Sequence, residues 1–138
     1  MTNRKYFLLL AAIQIAPALL YSYYLAEGNK LYQYPFIEFR EKVISFDTIT
    51  AGEKVVKEFY FQNKGPGKLT IRRVNASDGG TMAFWPKTQI LPGDNKSIQV
   101  VFNFTASRSG YQDKIFTVIS NAKNNGVELH LKGFIKRE

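Results

Sequence analysis

The chain has 138 residues, 45% of them hydrophobic, 14% aromatic and 22% charged, which leaves room for one domain of about 100 residues plus a short extra segment and excludes disordered and collagen-like classes. Nineteen Lys and Arg against 11 Asp and Glu give a formal net charge of +8, so the surface favours anionic partners, but the basic residues are scattered as on a solvated face, and no nucleic acid partner is expected. The sequence contains no Cys, which excludes disulfides, thiolate metal sites, a thiol nucleophile and an acylated cysteine anchor.

Residues 6–26, YFLLLAAIQIAPALLYSYYLA, carry no charge, while Arg4 and Lys5 precede them and Glu27 follows. As a helix this stretch measures about 31 Å, the thickness of a hydrocarbon core. It predicts a transmembrane anchor with its N-terminus in the cytoplasm and the remainder outside. The rival is a cleaved signal peptide with Ala16-Pro17-Ala18 as its small-x-small site; Pro in the middle and Leu19-Leu20-Tyr21 on the new end count against that cut. Both readings export the domain.

Residues 27–41, EGNKLYQYPFIEFRE, read as a linker, with Gly28-Asn29 marking a helix exit and Pro35 resisting helix. Its Tyr32, Tyr34, Phe36 and Phe39 are more apolar surface than a solvated tether needs. They pack on the domain or the membrane interface, or they form a docking strip for a protein partner.

From residue 42 onward the apolar period becomes two. A short first strand is expected at 42–46. Residues 54–62 place Val55, Phe59 and Phe61 on one side and Val56, Glu58, Tyr60 and Gln62 on the other. In 68–76, Leu69 and Ile71 share one parity and Val74 takes the other, which predicts a bulge near Arg72-Arg73. Residues 97–104 turn Ile98, Val100, Phe102 and Phe104 inward against Ser97, Gln99 and Asn103. A strand over 112–120 runs through Ile115, Phe116, Val118 and Ile119, and one over 127–135 turns Val127, Leu129, Leu131 and Ile135 inward against Glu128, His130 and Lys132.

Turn signals separate these segments, among them Ala51-Gly52-Glu53, Asn63-Lys64-Gly65-Pro66-Gly67, Asp78-Gly79-Gly80 and Leu91-Pro92-Gly93-Asp94. The expected fold is therefore all-β: a single immunoglobulin-like β-sandwich of about seven strands over 42–138, preceded by the linker 27–41 and by one N-terminal transmembrane or signal helix within 1–26.

The stretches Phe46-Asp47-Thr48-Ile49, Phe59-Tyr60-Phe61-Gln62-Asn63, Leu69-Thr70-Ile71, Trp85-Pro86, Ile90-Leu91-Pro92-Gly93 and Leu129-His130-Leu131-Lys132-Gly133, taken in order, resemble a family of small bacterial envelope domains of unknown function. That family is immunoglobulin-like and akin to the Hydin-type and major-sperm-protein sandwiches. The resemblance implies the sandwich fold and a bacterial cell envelope location, as a periplasmic domain with an inner-membrane anchor or one released to the periplasm. The family's Ser-Cys-Gly-Cys-Thr motif corresponds here to Ser77-Asp78-Gly79-Gly80-Thr81, so no redox or metal role carries over.

In the segment 75–86, Gly79 and Gly80 are expected to supply positive φ, and Asp78 to close an Asx-turn. Trp85 is expected to cap the sandwich end with its indole N–H on a carbonyl, or, exposed beside Phe84, to act as a binding hot spot. His130 is the one imidazole and stands on a polar parity with no acidic cluster or thiol to join it. No enzyme, cofactor or metal site is expected. The expected function is a structural or protein-interaction subunit of an envelope complex, held to the membrane by residues 6–26. Its partner contacts fall to Tyr32, Tyr34, Phe36, Phe39, Phe84 and Trp85. The alternative is a secreted basic module that binds anionic glycan or peptidoglycan.

Overall fold

Eight strands account for the alternating segments among the described residues, which are 17–26, 33–103 and 109–137 of the computed structural model. In chain order they are β1 (Ile37–Phe39), β2 (Val43–Thr50), β3 (Lys54–Asn63), β4 (Ile71–Ala76), β5 (Thr81–Phe84), β6 (Asn95–Asn103), β7 (Gly110–Ser120) and β8 (Val127–Lys136). They form two four-stranded sheets, the first in the order β1-β3-β6-β5 and the second in the order β2-β8-β7-β4.

The alternation read from sequence determines which side chains meet between the sheets. Val55, Phe59 and Phe61 of β3 and Ile98, Val100 and Phe102 of β6 are buried from the first sheet; Phe116, Val118, Leu129, Leu131 and Ile135 are buried from the second. The Phe59 and Phe116 ring centroids lie 6.3 Å apart across the interface. Burying each such side chain contributes about 1.5–3 kcal/mol, so a one-residue slip in register would forfeit a whole row. Phe104, expected on the same inward row, lies outside the described residues. The register of β4 on β7 shifts between Ile71 and Arg73, where the parity change predicts a bulge.

The first strand of the sandwich is divided between the sheets. β1 runs antiparallel to β3, the chain crosses over through residues 40–42, and β2 then runs parallel to β8. Along β2 the register shifts between Ser45 and Asp47, and Asp47 takes a positive φ of 58°. This turns Phe46 into the core, where its ring packs edge-to-face on Phe102 at 5.5 Å. A Cβ on Gly133 would fall on the Phe46 ring, so glycine there is required by packing.

Four details differ from the sequence expectation. Eight strands replace about seven: the alternation places six, and β1 and β5 lie in segments read as linker and as loop. The chain divides into units Met1–Gln33 and Tyr34–Glu138, so residues 34–41, expected as linker, belong to the sandwich, and Ile37 and Phe39 lie in its core. Lys114, counted with the surface cations, is buried and paired with Asp78. In the first unit the described helical residues, 17–26, measure about 15 Å, and among the described residues no helix is long and apolar enough to cross a membrane. The predicted span over 6–26 is therefore not shown as a span; its residues 6–16 lie outside the described residues.

Candidate functional site

Two asparagine networks, one around the buried Asn63 and one around the half-buried Asn124, hold the segment that carries Tyr34 and Phe36. Asn63 ends β3 and is fully buried. Its amide donates to Gly67 O at 2.7 Å and Ile90 O at 3.1 Å, and its carbonyl accepts from Gly65 N at 3.1 Å and Phe36 N at 3.4 Å. On the other side of β1, Asn124 imitates a strand: its amide accepts from Ile37 N at 3.1 Å and donates to Ile37 O at 2.7 Å. Backbone bonds from Lys64 N to Phe36 O and from Lys123 N to Pro35 O complete the clasp. Gly65 sits so close to the backbone of residues 34–36 that a Cβ has no room. Residues 34–39 are thus pinned at one end of the sandwich, the end formed by the loops 63–68, 91–94 and 121–126.

The six residues expected to bind a partner separate accordingly. Phe39 is in the core, its ring 5.4 Å from that of Phe61, and is unavailable to a partner. Tyr32 lies outside the described residues. Tyr34 and Phe36 remain exposed, at 52% and 41%, at the end just described. Phe84 is exposed on the outer face of the first sheet, on β5. Trp85 is half-buried against the core, and its indole N–H, expected on a carbonyl, meets no acceptor among the described residues. The Lys87 ammonium lies 3.2 Å from the centroid of its ring, a cation–π contact. Since β1 and β5 are opposite edges of the sheet, three strand spacings or roughly 14 Å separate them. The aromatic residues therefore form two surfaces.

The β5 surface contains residues the sequence reading did not single out. Registers Val56↔Val101 and Met82↔Val101 place these three side chains in one row across the outer face. Val101 is only 5% exposed although its parity points outward, while the flanking Val56 and Met82, together with Phe84 two residues on, are about half exposed. In sequence, Thr81-Met82-Ala83-Phe84 alternates bulky and small residues over four positions only, too short a run to separate a strand from a loop. β5 itself has a neighbour on one side only and carries no charge and no proline, the usual protections of a sheet edge.

Three polar clusters complete the inventory. His130 Nδ1 lies 3.0 Å and 3.2 Å from the Asp113 carboxylate oxygens, with Lys132 Nζ 3.5 Å from the same carboxylate. The group stands on the open outer face of the second sheet. An open depression of about 580 Å³ beside it is lined by Lys42, Val43, Asn124 and Glu128 among others, but the Asn124 amide already holds Ile37, and the Asn125 carbonyl accepts from Ser120 N. Where β1 crosses to β2, Arg40 stacks on Tyr60 at 5.6 Å, and the Tyr60 hydroxyl donates to Glu58. That bond and the charge of Glu58 raise the phenol above its ordinary value. Among the described residues no three or more His, Cys, Asp or Glu gather as a metal site.

The segment 77–81 crosses from the second sheet to the first. Asp78 accepts from Thr81 Oγ1 at 3.1 Å and pairs with Lys114, whose side chain is 8% exposed against 20% for Asp78. Of the two glycines expected at positive φ, Gly80 alone adopts it.

Comparison with known proteins agrees with this architecture. The chain resembles a protein of unknown function from Porphyromonas gingivalis W83 (17% identity, TM-score 0.65), covering 74% of this chain and 47% of that one. It also resembles the ASH/PapD-like domain 7 of human CEP192 (12% identity, TM-score 0.62), covering 77% and 89%, and the VesB protease of Vibrio cholerae (15% identity, TM-score 0.54), covering 83% and 35%. These likenesses concern the fold: an all-β, immunoglobulin-like and PapD-like sandwich. The chain spans about half the length of the Porphyromonas protein. No curated protein sequence matches it. The model of DUF1573, a family of proteins of unknown function, matches residues 37–135, well over half of the sequence, and the chain belongs to that family.

Proposed function

We propose that this chain is a non-catalytic interaction module of the bacterial cell envelope, held at the membrane by residues 6–26 and exposing its sandwich outside the cytoplasm, where β5 and the adjoining outer face of the first sheet receive a protein partner. The observation that carries this reading is the apolar row Val56, Val101 and Met82, with Phe84 beside it, at an uncharged sheet edge. Such an edge offers main-chain hydrogen bonds to an extended segment, and the side chains beside it offer apolar contact to every second residue of that segment. A partner strand there would bury Met82 and Phe84, side chains of the kind that dominate interface energetics. Kinship with the Hydin-type and major-sperm-protein sandwiches belongs to the same proposal, supported by the two-sheet architecture.

Site-specific photocrosslinking in native membranes tests it. A crosslinking side chain at position 82 or 84 should yield a protein adduct of one defined mass, and the same probe at Thr117, which faces outward from the second sheet, should not. Equal adducts from both faces, or none from 82 and 84, overturn the reading.

A further inference from the structure

The end of the sandwich that carries Tyr34 and Phe36 differs in chemistry from the β5 face. Four segments meet there through bonds of known length: Lys64 N to Phe36 O at 2.8 Å, Lys123 N to Pro35 O at 2.9 Å, Asn121 Nδ2 to Lys68 O at 3.0 Å, and Gly93 N to Asn63 O at 2.8 Å. These bonds bring Lys64, Lys68 and Lys123 together although the sequence spreads them over 60 residues. Leu91, half exposed at the start of the turn 91–94 that leads into β6, stands at the same end as the exposed Tyr34 and Phe36. The nearby carboxylates are Glu38, 3.8 Å from Lys64 Nζ in a loose pair, Asp94 in the Leu91 turn, and Glu128, which lines the depression beside Asn124. With Lys42 in the same depression and Lys96 opening β6, five lysines stand against these three acids.

Aromatic and aliphatic side chains among lysines match the boundary of an anionic bilayer: tyrosine settles at headgroup depth, phenylalanine and leucine enter the acyl boundary below it, and each lysine near the charged surface biases the equilibrium toward contact by about fivefold. The covalent chain points the same way. Residues 27–33, seven in number, reach at most about 25 Å when fully extended, whereas a ten-residue strand such as β3 is about 33 Å long. With residues 6–26 in the membrane, that covalent reach is the farthest Tyr34 can stand from the anchor.

We infer that this end of the sandwich, through Tyr34, Phe36, Leu91, Lys64, Lys68 and Lys123, docks on an anionic lipid surface. The inference rests on the proposed membrane anchor, and it gives Tyr34 and Phe36 a role apart from the protein contacts at β5.

The test uses the full chain reconstituted in vesicles of phosphatidylcholine alone or of phosphatidylcholine with phosphatidylglycerol, each carrying brominated acyl chains as quenchers. Phe36→Trp adds one fluorophore at the end in question, and the parent chain, with Trp85 alone, gives the baseline. Extraction at alkaline pH first separates integrated from peripheral protein. Expected is integration in both vesicle types, with quenching above the baseline for Phe36→Trp, several-fold stronger with phosphatidylglycerol. That excess should vanish in molar salt, where the screening length shrinks to about 3 Å, and when Lys64, Lys68 and Lys123 are all replaced by Gln. Complete alkaline extraction would overturn the anchor and with it this docking. Integration with Phe36→Trp at the baseline, or quenched equally in both lipids, would overturn the docking alone and return this end to a protein partner.

Discussion

Replacing Asn63 by Ala removes one side chain and strands four backbone groups. The amide donates to Gly67 O and Ile90 O, and the carbonyl accepts from Gly65 N and Phe36 N. Three of these bonds span 2.7–3.1 Å and the fourth is a long 3.4 Å, so the fourth counts for little. A net loss of about 1 kcal/mol for each good bond, with a further penalty where a group stays buried without a partner, gives roughly 3–4 kcal/mol. That is a large share of the 5–15 kcal/mol typical of a domain. Asn121 makes a matched comparison: it accepts from Thr70 N at 2.7 Å and donates to Lys68 O at 3.0 Å, but it is exposed. Water can replace both bonds, and Asn121→Ala should cost about 1 kcal/mol or less. Guanidinium melts followed by Trp85 fluorescence would measure both, with the midpoint shifted and the slope unchanged. An Asn63→Ala chain within 1 kcal/mol of the parent, or one less affected than Asn121→Ala, would refute the reasoning that this amide joins β1 to the loops around it.

Two further perturbations probe the opposite end and the core. Gly133→Ala forces a methyl against the Phe46 ring and should destabilise by about 1–3 kcal/mol, with Phe46→Leu in the same chain recovering part of the loss in thermal melts. Asp78→Ala leaves the Lys114 ammonium almost buried and unpaired, at a cost of about 3–5 kcal/mol, whereas Asp78→Ala combined with Lys114→Met should lie near the parent; strict additivity in that double-mutant cycle would disprove the coupling.

The sandwich was legible in sequence because period-two burial is a local property. Ile98, Val100 and Phe102, and likewise Leu129 and Leu131, are inward by parity and buried in fact, and the parity change at Arg72-Arg73 marked a bulge that the register contains. What escaped depends on contacts distant in sequence. Nothing near Ile37 announces that Asn63 and Asn124, the latter 87 residues away, will fasten it into a sheet, so a segment with Pro35 and mixed charge read as a linker. Lys114 shares its parity with Phe116 and Val118, a cue outweighed by its charge; its pairing with Asp78, 36 residues earlier, makes that burial tolerable. β5 was missed because four residues between two glycines and a Trp-Pro pair are too few for a periodic signal.

The separation of the two exposed surfaces has an energetic consequence. A tether, a lipid-facing end and a protein-receiving edge would compete if they shared residues, because each contact would have to exclude the others. Here Tyr34, Phe36, Lys64 and Lys123 of the proposed lipid-facing end lie beside β1 and the apolar row of the proposed protein-receiving edge beside β5, at opposite edges of one sheet, farther apart than the 7–10 Å within which substitutions usually couple. Between them stand β3 and β6, whose inward Phe59, Phe61, Ile98 and Val100 are fully or almost fully buried. Such a closely packed core resists continuous deformation, so occupation of one surface changes the other little. Replacing Lys64, Lys68 and Lys123 by Gln should therefore leave the crosslinks from positions 82 and 84 unchanged, and replacing Met82 and Phe84 by Ser should leave the quenching of a tryptophan at position 36 unchanged. Loss of both signals from either set of substitutions would mean that the two surfaces serve a single partner that wraps the first sheet from edge to edge.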